Sequence, residues 1–284
     1  MRAILPVLSV LFFFALSFHS FNLEAQALSR EEVDDTIQKM PAFSIHKNNY
    51  FITGIPTHER INSTSTDAKY QISFKLLLTR NTLPLDSYLF LTYTQKAFWN
   101  IYQFSSPFEE INFNPTLDLG KPLYNKDDQV NGLAILQLEH ESNGRDSIFS
   151  RSWNNLSLAY HTQLNDRTTL QVKGWLPFLY KTDNPDLLDY IGLGEANISY
   201  DIKPKKLILN VMMRKGWGWD WKGAVKTQLL YRPFKMPNQF IMLEWFTGYT
   251  ESLIDYQEYK SMIRFGFIIK SDEFEIFKKQ TRRN

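Results

Sequence analysis

Three absences in the 284-residue sequence narrow what the protein can be. It contains no cysteine, which excludes disulfide bonds and a thiol nucleophile. The formal net charge is only +2, so the charge balance offers no case for nucleic acid as a partner. After the N-terminal segment, no apolar run is long enough for a membrane-spanning helix. Any part of the mature chain that lies in a membrane must therefore be a closed β-barrel.

Residues 1–27 have the three parts of a secretory signal. Arg2 provides the positive start, 5–18 is the apolar run, and 25–27 reads Ala-Gln-Ala, an A-x-A cleavage site. A membrane anchor is the alternative, but the run is shorter than the roughly 20 residues that a spanning helix needs. We therefore predict a signal peptide over residues 1–27.

About twelve later segments alternate apolar with polar residues, which is typical of strands with one apolar face. The clearest five are 70–78, 170–178, 207–213, 225–231 and 263–269. Aromatic residues make up 15% of the chain, as expected for the aromatic girdles of a membrane barrel. We predict an all-β fold, a transmembrane antiparallel β-barrel of about 12 strands over residues 49–274. Residues 28–48 are expected to be an irregular N-terminal extension, and residues 275–284 a basic C-terminal tail.

Connection lengths favour a membrane barrel over a soluble all-β fold. Short turns are predicted at 165–167, 203–205 and 232–237, and long loops at 56–67, 99–112, 143–152 and 250–258. Short turns on one side and long loops on the other are typical of outer-membrane barrels. A soluble β-sandwich is the alternative, but it would not need Lys and Arg on the polar face of so many strands.

Three reactive side chains share the apolar faces of two neighbouring predicted strands. His140 and Ser142 alternate in step with Leu138 and so lie on its face of the strand, and Asn154 lies on the same face as Leu156 in the next strand. A tight antiparallel pairing would bring the three together at the long-loop rim. A serine attacks when a histidine takes its proton and a third group orients that histidine. We therefore predict a nucleophile, a base and an orienting amide beside an apolar surface, which suits chemistry on a lipid. An ordinary polar rim is the alternative.

These residues also carry a family resemblance. Residues 140–145, His-Glu-Ser-Asn-Gly-Arg, and residues 150–154, Ser-Arg-Ser-Trp-Asn, resemble the active-site signature of bacterial outer-membrane phospholipase A. Further matching motifs follow the family's order at 93–96, 105–108, 183–186 and 248–256. The resemblance implies a twelve-stranded barrel in the Gram-negative outer membrane. It also implies a Ser–His–Asn triad, His140, Ser142 and Asn154, on the lipid-facing wall, which hydrolyses phospholipid acyl esters at the first or second glycerol position.

The same resemblance implies that the enzyme depends on Ca²⁺ and is active as a homodimer. Calcium ligands carry over to the Arg145 carbonyl and the Ser150 hydroxyl, with Ser105 from the second subunit. Asp183 matches an acidic residue of a second calcium site in the monomeric state. Residues 146–149 differ from the usual loop of the family, which leaves the calcium geometry open.

A developing oxyanion also needs hydrogen-bond donors in this region. The backbone N–H groups of Ser142 and Gly144 are the candidates, because they lie at and just after the nucleophile. Two other functions stay open from the sequence. One is a non-catalytic outer-membrane barrel, porin-like or structural, and the other is a soluble secreted lipase.

Overall fold

A computed structural model of the chain describes residues 28–80 and 83–271. The described part contains two α-helices, α1 Arg30–Lys39 and α2 Leu187–Ile191, and two 3₁₀ helices, Pro84–Asp86 and Ser147–Phe149. Its strands are β1 Phe43–Ile45, β2 Asn49–Pro56, β3 Asp67–Leu77, β4 Tyr88–Trp99, β5 Phe108–Tyr124, β6 Val130–Ser142, β7 Ser152–Asn165, β8 Thr168–Phe178, β9 Gly194–Lys203, β10 Leu207–Lys215, β11 Gly223–Tyr231, β12 Gln239–Gly248 and β13 Lys260–Ile269. The predicted signal peptide over 1–27 and the predicted tail over 275–284 lie outside the described residues.

Strands β2 to β13 form a closed antiparallel ring of twelve. Each strand pairs with the next along the chain, and β13 pairs back onto β2, with Ile269 opposite Asn49. Strand β1 is outside this ring and pairs with β3, where Phe43 lies opposite Leu76. The predicted fold class, a transmembrane antiparallel barrel of about twelve strands, is confirmed. Across residues 28–80 and 83–271, the structure contains no helix with the length and apolar character to cross a membrane.

Side chains alternate across the wall with the apolar set outside. In β6, Gln137 and Glu139 point inward and are buried, whereas Leu136 and Leu138 are 44% and 51% exposed. A soluble protein would bury its leucines and expose its charges. The opposite arrangement is that of a barrel whose outer surface contacts lipid.

The lumen is filled by paired charges. Arg264 donates two hydrogen bonds of 2.6 and 2.7 Å to Asp67 and two of 2.6 and 3.2 Å to Glu251, which lies in the β12–β13 loop. Lys69 donates to Glu251 at 2.8 Å and also hydrogen-bonds to Glu244. Burial would raise the pKa of the Glu251 carboxyl, but the charges of Arg264 and Lys69 outweigh it and lower that pKa to about 2. The pairing compensates the cost of burying these ions.

The segment before the barrel is ordered, and the expectation that it is irregular was wrong. Helix α1 begins with a capping box: the Ser29 hydroxyl accepts from the Glu32 N–H at 3.3 Å, and the Glu32 carboxylate accepts from the Ser29 N–H at 3.0 Å. Val33 and Ile37, one helical turn apart, are buried. They pack in a cluster with barrel residues at the short-turn end, namely Leu77, Tyr88 and Val130. The helix is therefore stabilised by contact with the mouth of the barrel.

Candidate active site

His140 and Asn154 form the centre of the site. Strands β6 and β7 pair so that His140 lies directly opposite Asn154. The Nδ1 atom of His140 is 2.9 Å from Oδ1 of Asn154. An amide oxygen only accepts hydrogen bonds, so Nδ1 carries the proton and Nε2 is left as the acceptor. The ring therefore has the tautomer that a general base needs.

Ser142 lies two residues beyond His140 on the same outward face. In the pairing of β6 with β7 it stands opposite Ser152. Its Cα is roughly 7 Å from that of His140, as the rise of an extended strand requires. Among the described residues, no hydrogen bond joins the Ser142 hydroxyl to the His140 ring. Such hydrogen bonds are often long in a free enzyme and shorten when substrate binds.

Asn143 orders the loop that follows Ser142, a role that the sequence did not reveal. Its side-chain oxygen accepts from the backbone N–H groups of Arg145 at 3.2 Å and Arg151 at 3.0 Å. Its side-chain nitrogen donates to the Phe149 carbonyl at 2.8 Å. Gly144 has φ +66°, a left-handed conformation that favours glycine. The Asn-Gly pair was the available signal, because it is typical of a tight turn.

The predicted calcium ligands are brought together only in part. The Ser150 hydroxyl donates to Oδ2 of Asp183 at 3.1 Å, and the Ser152 hydroxyl donates to the same oxygen at 2.7 Å. The predicted ligand of Arg145 is its backbone carbonyl, whereas its guanidinium hydrogen-bonds to the Glu109 carbonyl on β5. Ser105 is exposed in the β4–β5 loop. Within the described residues, no hydrogen bond connects Arg145 or Ser105 to the Ser150–Asp183 pair. The sequence interpretation missed Ser152, although it lies only two residues after Ser150, at the start of β7.

The donor set around Asp183 suits calcium. The described residues contain no group of three or more His, Asp and Glu that could hold a metal ion. The donors that meet there are one carboxylate and two hydroxyls. Calcium takes six to eight oxygen ligands, including carbonyls, hydroxyls and waters. These residues therefore fit a calcium ion.

Behind the outward site, the inner wall is held by aromatic residues. The Trp153 indole donates to the Glu141 carboxylate at 2.9 Å, and these two residues alternate with the outward-facing site residues. Trp153 packs edge-on against Trp175 at 6.2 Å between ring centroids. The Trp175 indole donates to the Gly192 carbonyl at 2.9 Å and so links β8 to the loop that contains α2. These contacts fix the ends of β6 and β7 that carry His140, Ser142 and Asn154.

A closed twelve-stranded ring, an apolar outer surface and a polar lumen define an outer-membrane β-barrel. The model of the phospholipase A1 family matches residues 29–269. The chain belongs to the phospholipase A1 family. This confirms the predicted family, the predicted enzyme class and the predicted outer-membrane location.

Individual relatives and solved structures agree with this assignment. Phospholipase A1 of Klebsiella pneumoniae is 31% identical over 214 residues, which cover 73% of this chain and 72% of the relative. Phospholipase A1 of Escherichia coli K12 is also 31% identical, over 73% of this chain and 71% of the relative. Outer membrane phospholipase A from E. coli superposes with a TM-score of 0.72 at 26% identity, covering 82% of this chain and 100% of that structure. The Salmonella typhi outer membrane phospholipase dimer with bound calcium gives 0.74 at 26% identity, covering 88% and 100%.

Proposed function

We propose that the protein hydrolyses phospholipid acyl esters at the outer membrane, as a calcium-dependent phospholipase A1/A2 with the triad Ser142, His140 and Asn154. The observation that supports this most strongly is the 2.9 Å contact between His140 Nδ1 and Asn154 Oδ1 on the outward face of the wall. That contact prepares Nε2 to accept a proton. It lies beside exposed leucines, where an acyl chain in the membrane would meet the wall.

The reaction follows from the roles of these groups. Nε2 of His140 takes the hydroxyl proton of Ser142 as Oγ attacks the ester carbonyl. The backbone N–H groups of Ser142 and Gly144 donate to the oxygen that becomes negative. The His140 imidazolium then gives its proton to the departing glycerol oxygen, which leaves as a lysophospholipid. Water, deprotonated by the same ring, hydrolyses the acyl-serine and releases a fatty acid.

The lipid-facing surface supports a lipid substrate. Leu136 and Leu138 on β6, and Leu156 and Leu158 on β7, are between 42% and 57% exposed below the triad. An acyl chain lying along these strands would replace bilayer lipid without moving into water. The ester at its head would then reach the triad at the long-loop rim. An apolar wall with a polar site at its rim thus favours a substrate with an apolar chain and a polar head.

Calcium would be held by the Arg145 carbonyl and the Ser150 hydroxyl, with Ser105 supplied by a second copy of the chain. Asp183 would serve a second site in the monomer, where it already accepts from Ser150. When bound, the ion polarises oxygen ligands and favours negative charge developing nearby. The calcium-bound dimer of the Salmonella typhi relative supports both the metal and the two-copy arrangement.

A passive pore is less compatible with the lumen. Lys69, Glu244 and Arg264 are all fully buried within the barrel, and the loop residue Glu251 enters the same network. A conducting pore requires a continuous water-filled path, and a narrow barrel filled by side chains does not offer one. Conductance without hydrolysis would support the porin-like alternative.

The test is a calcium-titrated assay of fatty-acid release from mixed micelles of phospholipid and detergent. Wild type is compared with Ser142→Ala and with Ser63→Ala, an exposed serine in the β2–β3 loop. We expect activity that requires calcium, complete loss in Ser142→Ala and no change in Ser63→Ala. Retained activity in a folded Ser142→Ala barrel would overturn the proposal.

A further inference from the structure

Pro115 occupies an unusual position in the middle of β5. Strand β5 has seventeen residues and neighbours on both sides, β4 and β6. Proline has no N–H to donate, so it is normally confined to edge strands and bulges. The pairing of β5 with β6 places Phe113 opposite Ser142 and Thr116 opposite Glu139, and it is interrupted between these pairs.

The residue opposite Pro115 in this register is His140. Because the strands are antiparallel, moving two residues forward from Phe113 on β5 corresponds to moving two residues back from Ser142 on β6, which pairs residue 115 with residue 140. In an antiparallel ladder, opposite residues exchange backbone hydrogen bonds in every second pair. The Asn143 N–H donates to the Arg151 carbonyl at the end of the β6–β7 pairing, so by this alternation the backbone groups of His140, three residues earlier, face β5. Pro115 cannot make that hydrogen bond. The His140 carbonyl would therefore lack its donor from β5.

The side chain of Asn114 supplies the missing donor. Its Nδ2 atom donates to the His140 carbonyl at 2.9 Å. His140 is thus held from both neighbouring strands, through its backbone by Asn114 on β5 and through its ring by Asn154 on β7. The two contacts together restrict both the position and the rotation of the imidazole.

We propose that Asn114 is a positioning residue for His140, which replaces the ladder hydrogen bond that Pro115 removes. This inference rests on the proposed function, because it assumes that His140 is the general base. A carbonyl that loses its partner shifts to find another one. A displacement of about 1 Å in a reacting group is enough to slow catalysis substantially. Asn114 touches no reacting atom, so its effect passes through His140.

The test replaces Asn114 alone and then Asn114 and Pro115 together. Asn114→Ala removes the side-chain donor, and Asn114→Ala/Pro115→Ala restores a backbone N–H opposite His140. Asn197→Ala is the matched control, because Asn197 on β9 is also a lumen-side amide and bonds at 3.1 Å to Glu195. Each purified variant is checked for a folded barrel by heat-dependent gel migration. The measurements are kcat, KM and the rate at which a fluorophosphonate modifies the active serine.

We expect Asn114→Ala to lower kcat and the modification rate together by about three- to tenfold, the scale of one neutral hydrogen bond. KM should change little, because the lipid-facing wall is untouched. The double variant should recover most of both rates, and Asn197→Ala should match wild type. A purely structural role would lower the yield of folded barrel and leave kcat per folded enzyme unchanged.

Two results would overturn the inference. One is wild-type kcat in Asn114→Ala, and the other is a double variant as slow as Asn114→Ala. If Asn114→Ala does not fold, the double variant carries the test, and its failure to fold or to act would count against the inference. The Ser142→Ala variant separates the two proposals: activity in that variant overturns the proposed function, whereas loss there with normal Asn114→Ala activity overturns this inference alone.

Discussion

His140 and Asn154 stand directly opposite each other on neighbouring strands, with Nδ1 of the ring 2.9 Å from the amide oxygen. The pairing register creates this contact, because it aligns two residues fourteen positions apart in the sequence. A neutral amide fixes the ring and its tautomer, but it stabilises an imidazolium less than a carboxylate would. In the proposed triad, Asn154 therefore acts mainly by orienting His140.

Replacing Asn154 tests that role. We expect Asn154→Ala to lower kcat by roughly ten- to a hundredfold, because the ring loses its partner and its fixed tautomer. KM should be nearly unchanged. Asn155→Ala, which alters the neighbouring inward-facing amide, is the control for damage to β7. Equal activity of Asn154→Ala and wild type in the micelle assay would show that the ring needs no orienting group.

Asp183 provides a test of the proposed calcium site. Asp183→Asn removes the one carboxylate that accepts from Ser150 and Ser152. We expect calcium to bind the monomer about tenfold more weakly or worse, since an anionic ligand is lost. Calorimetric titration of the monomer in detergent measures this affinity. Asp166→Asn in the short β7–β8 turn is the control, and identical affinity in all three proteins would remove Asp183 from the site.

The charge network in the lumen predicts a large effect on stability. Glu251→Gln leaves the buried cations Lys69 and Arg264 without one of their shared partners. Breaking a buried pair in this way costs about 3–5 kcal/mol. Guanidinium unfolding in detergent micelles measures the loss. Glu59→Gln, an exposed loop carboxylate, should change stability little, and a comparable loss in both variants would contradict the prediction.

The lowered pKa of Glu251 gives a pH dependence with a definite sign. The carboxyl has a pKa of about 2 in the folded barrel against an ordinary value of 4.5. Its stabilisation is therefore complete above pH 4.5 and is lost as the pH falls from 4.5 towards 2. Unfolding measured across that range should show wild type losing stability faster than Glu251→Gln. Parallel curves for the two proteins would show that Glu251 does not titrate in this way.

Helix α1 yields a smaller, local prediction. Ser29→Ala removes the hydroxyl that accepts from the Glu32 N–H and should destabilise the helix by about 1 kcal/mol. Ser29→Gly should cost only a few tenths of that, because glycine suits the position before a helix. Proteolysis of the segment before the barrel, followed by mass spectrometry, reports the opening of α1. Equal cleavage rates for Ser29→Ala and wild type would contradict the role of the cap.

Features set by period and parity were predictable from the sequence. The alternation in β3, β8, β10, β11 and β13 identified both the strands and their lipid-facing sides. His140 and Asn154 were predicted to lie on the outward face because they alternate with the apolar residues of that face, and alternate residues of a strand share a face. Predicting the contact between them also required the assumption that the two strands pair tightly and antiparallel, which brings residues 140 and 154 opposite each other.

Features that depend on register or on distant loops were not predictable in this way. Helix α1 has ten residues, and its apolar side is buried only because the mouth of the barrel is there to receive it. The contact between Asn114 and His140 depends on which residue of β5 lies opposite His140, and neither periodicity nor composition reveals that. The Ser152–Asp183 hydrogen bond joins the first residue of β7 to the loop before α2, 31 residues further along the chain.

The central claim is that Ser142 becomes covalently acylated, and the most direct measurement is to locate a covalent label. Wild type is treated with a fluorophosphonate in the presence of calcium, digested and mapped by mass spectrometry. We expect the label on Ser142, and little or none when His140 is replaced by alanine. A label on a different serine, or a fully active enzyme whose Ser142 stays unmodified, would contradict the claim.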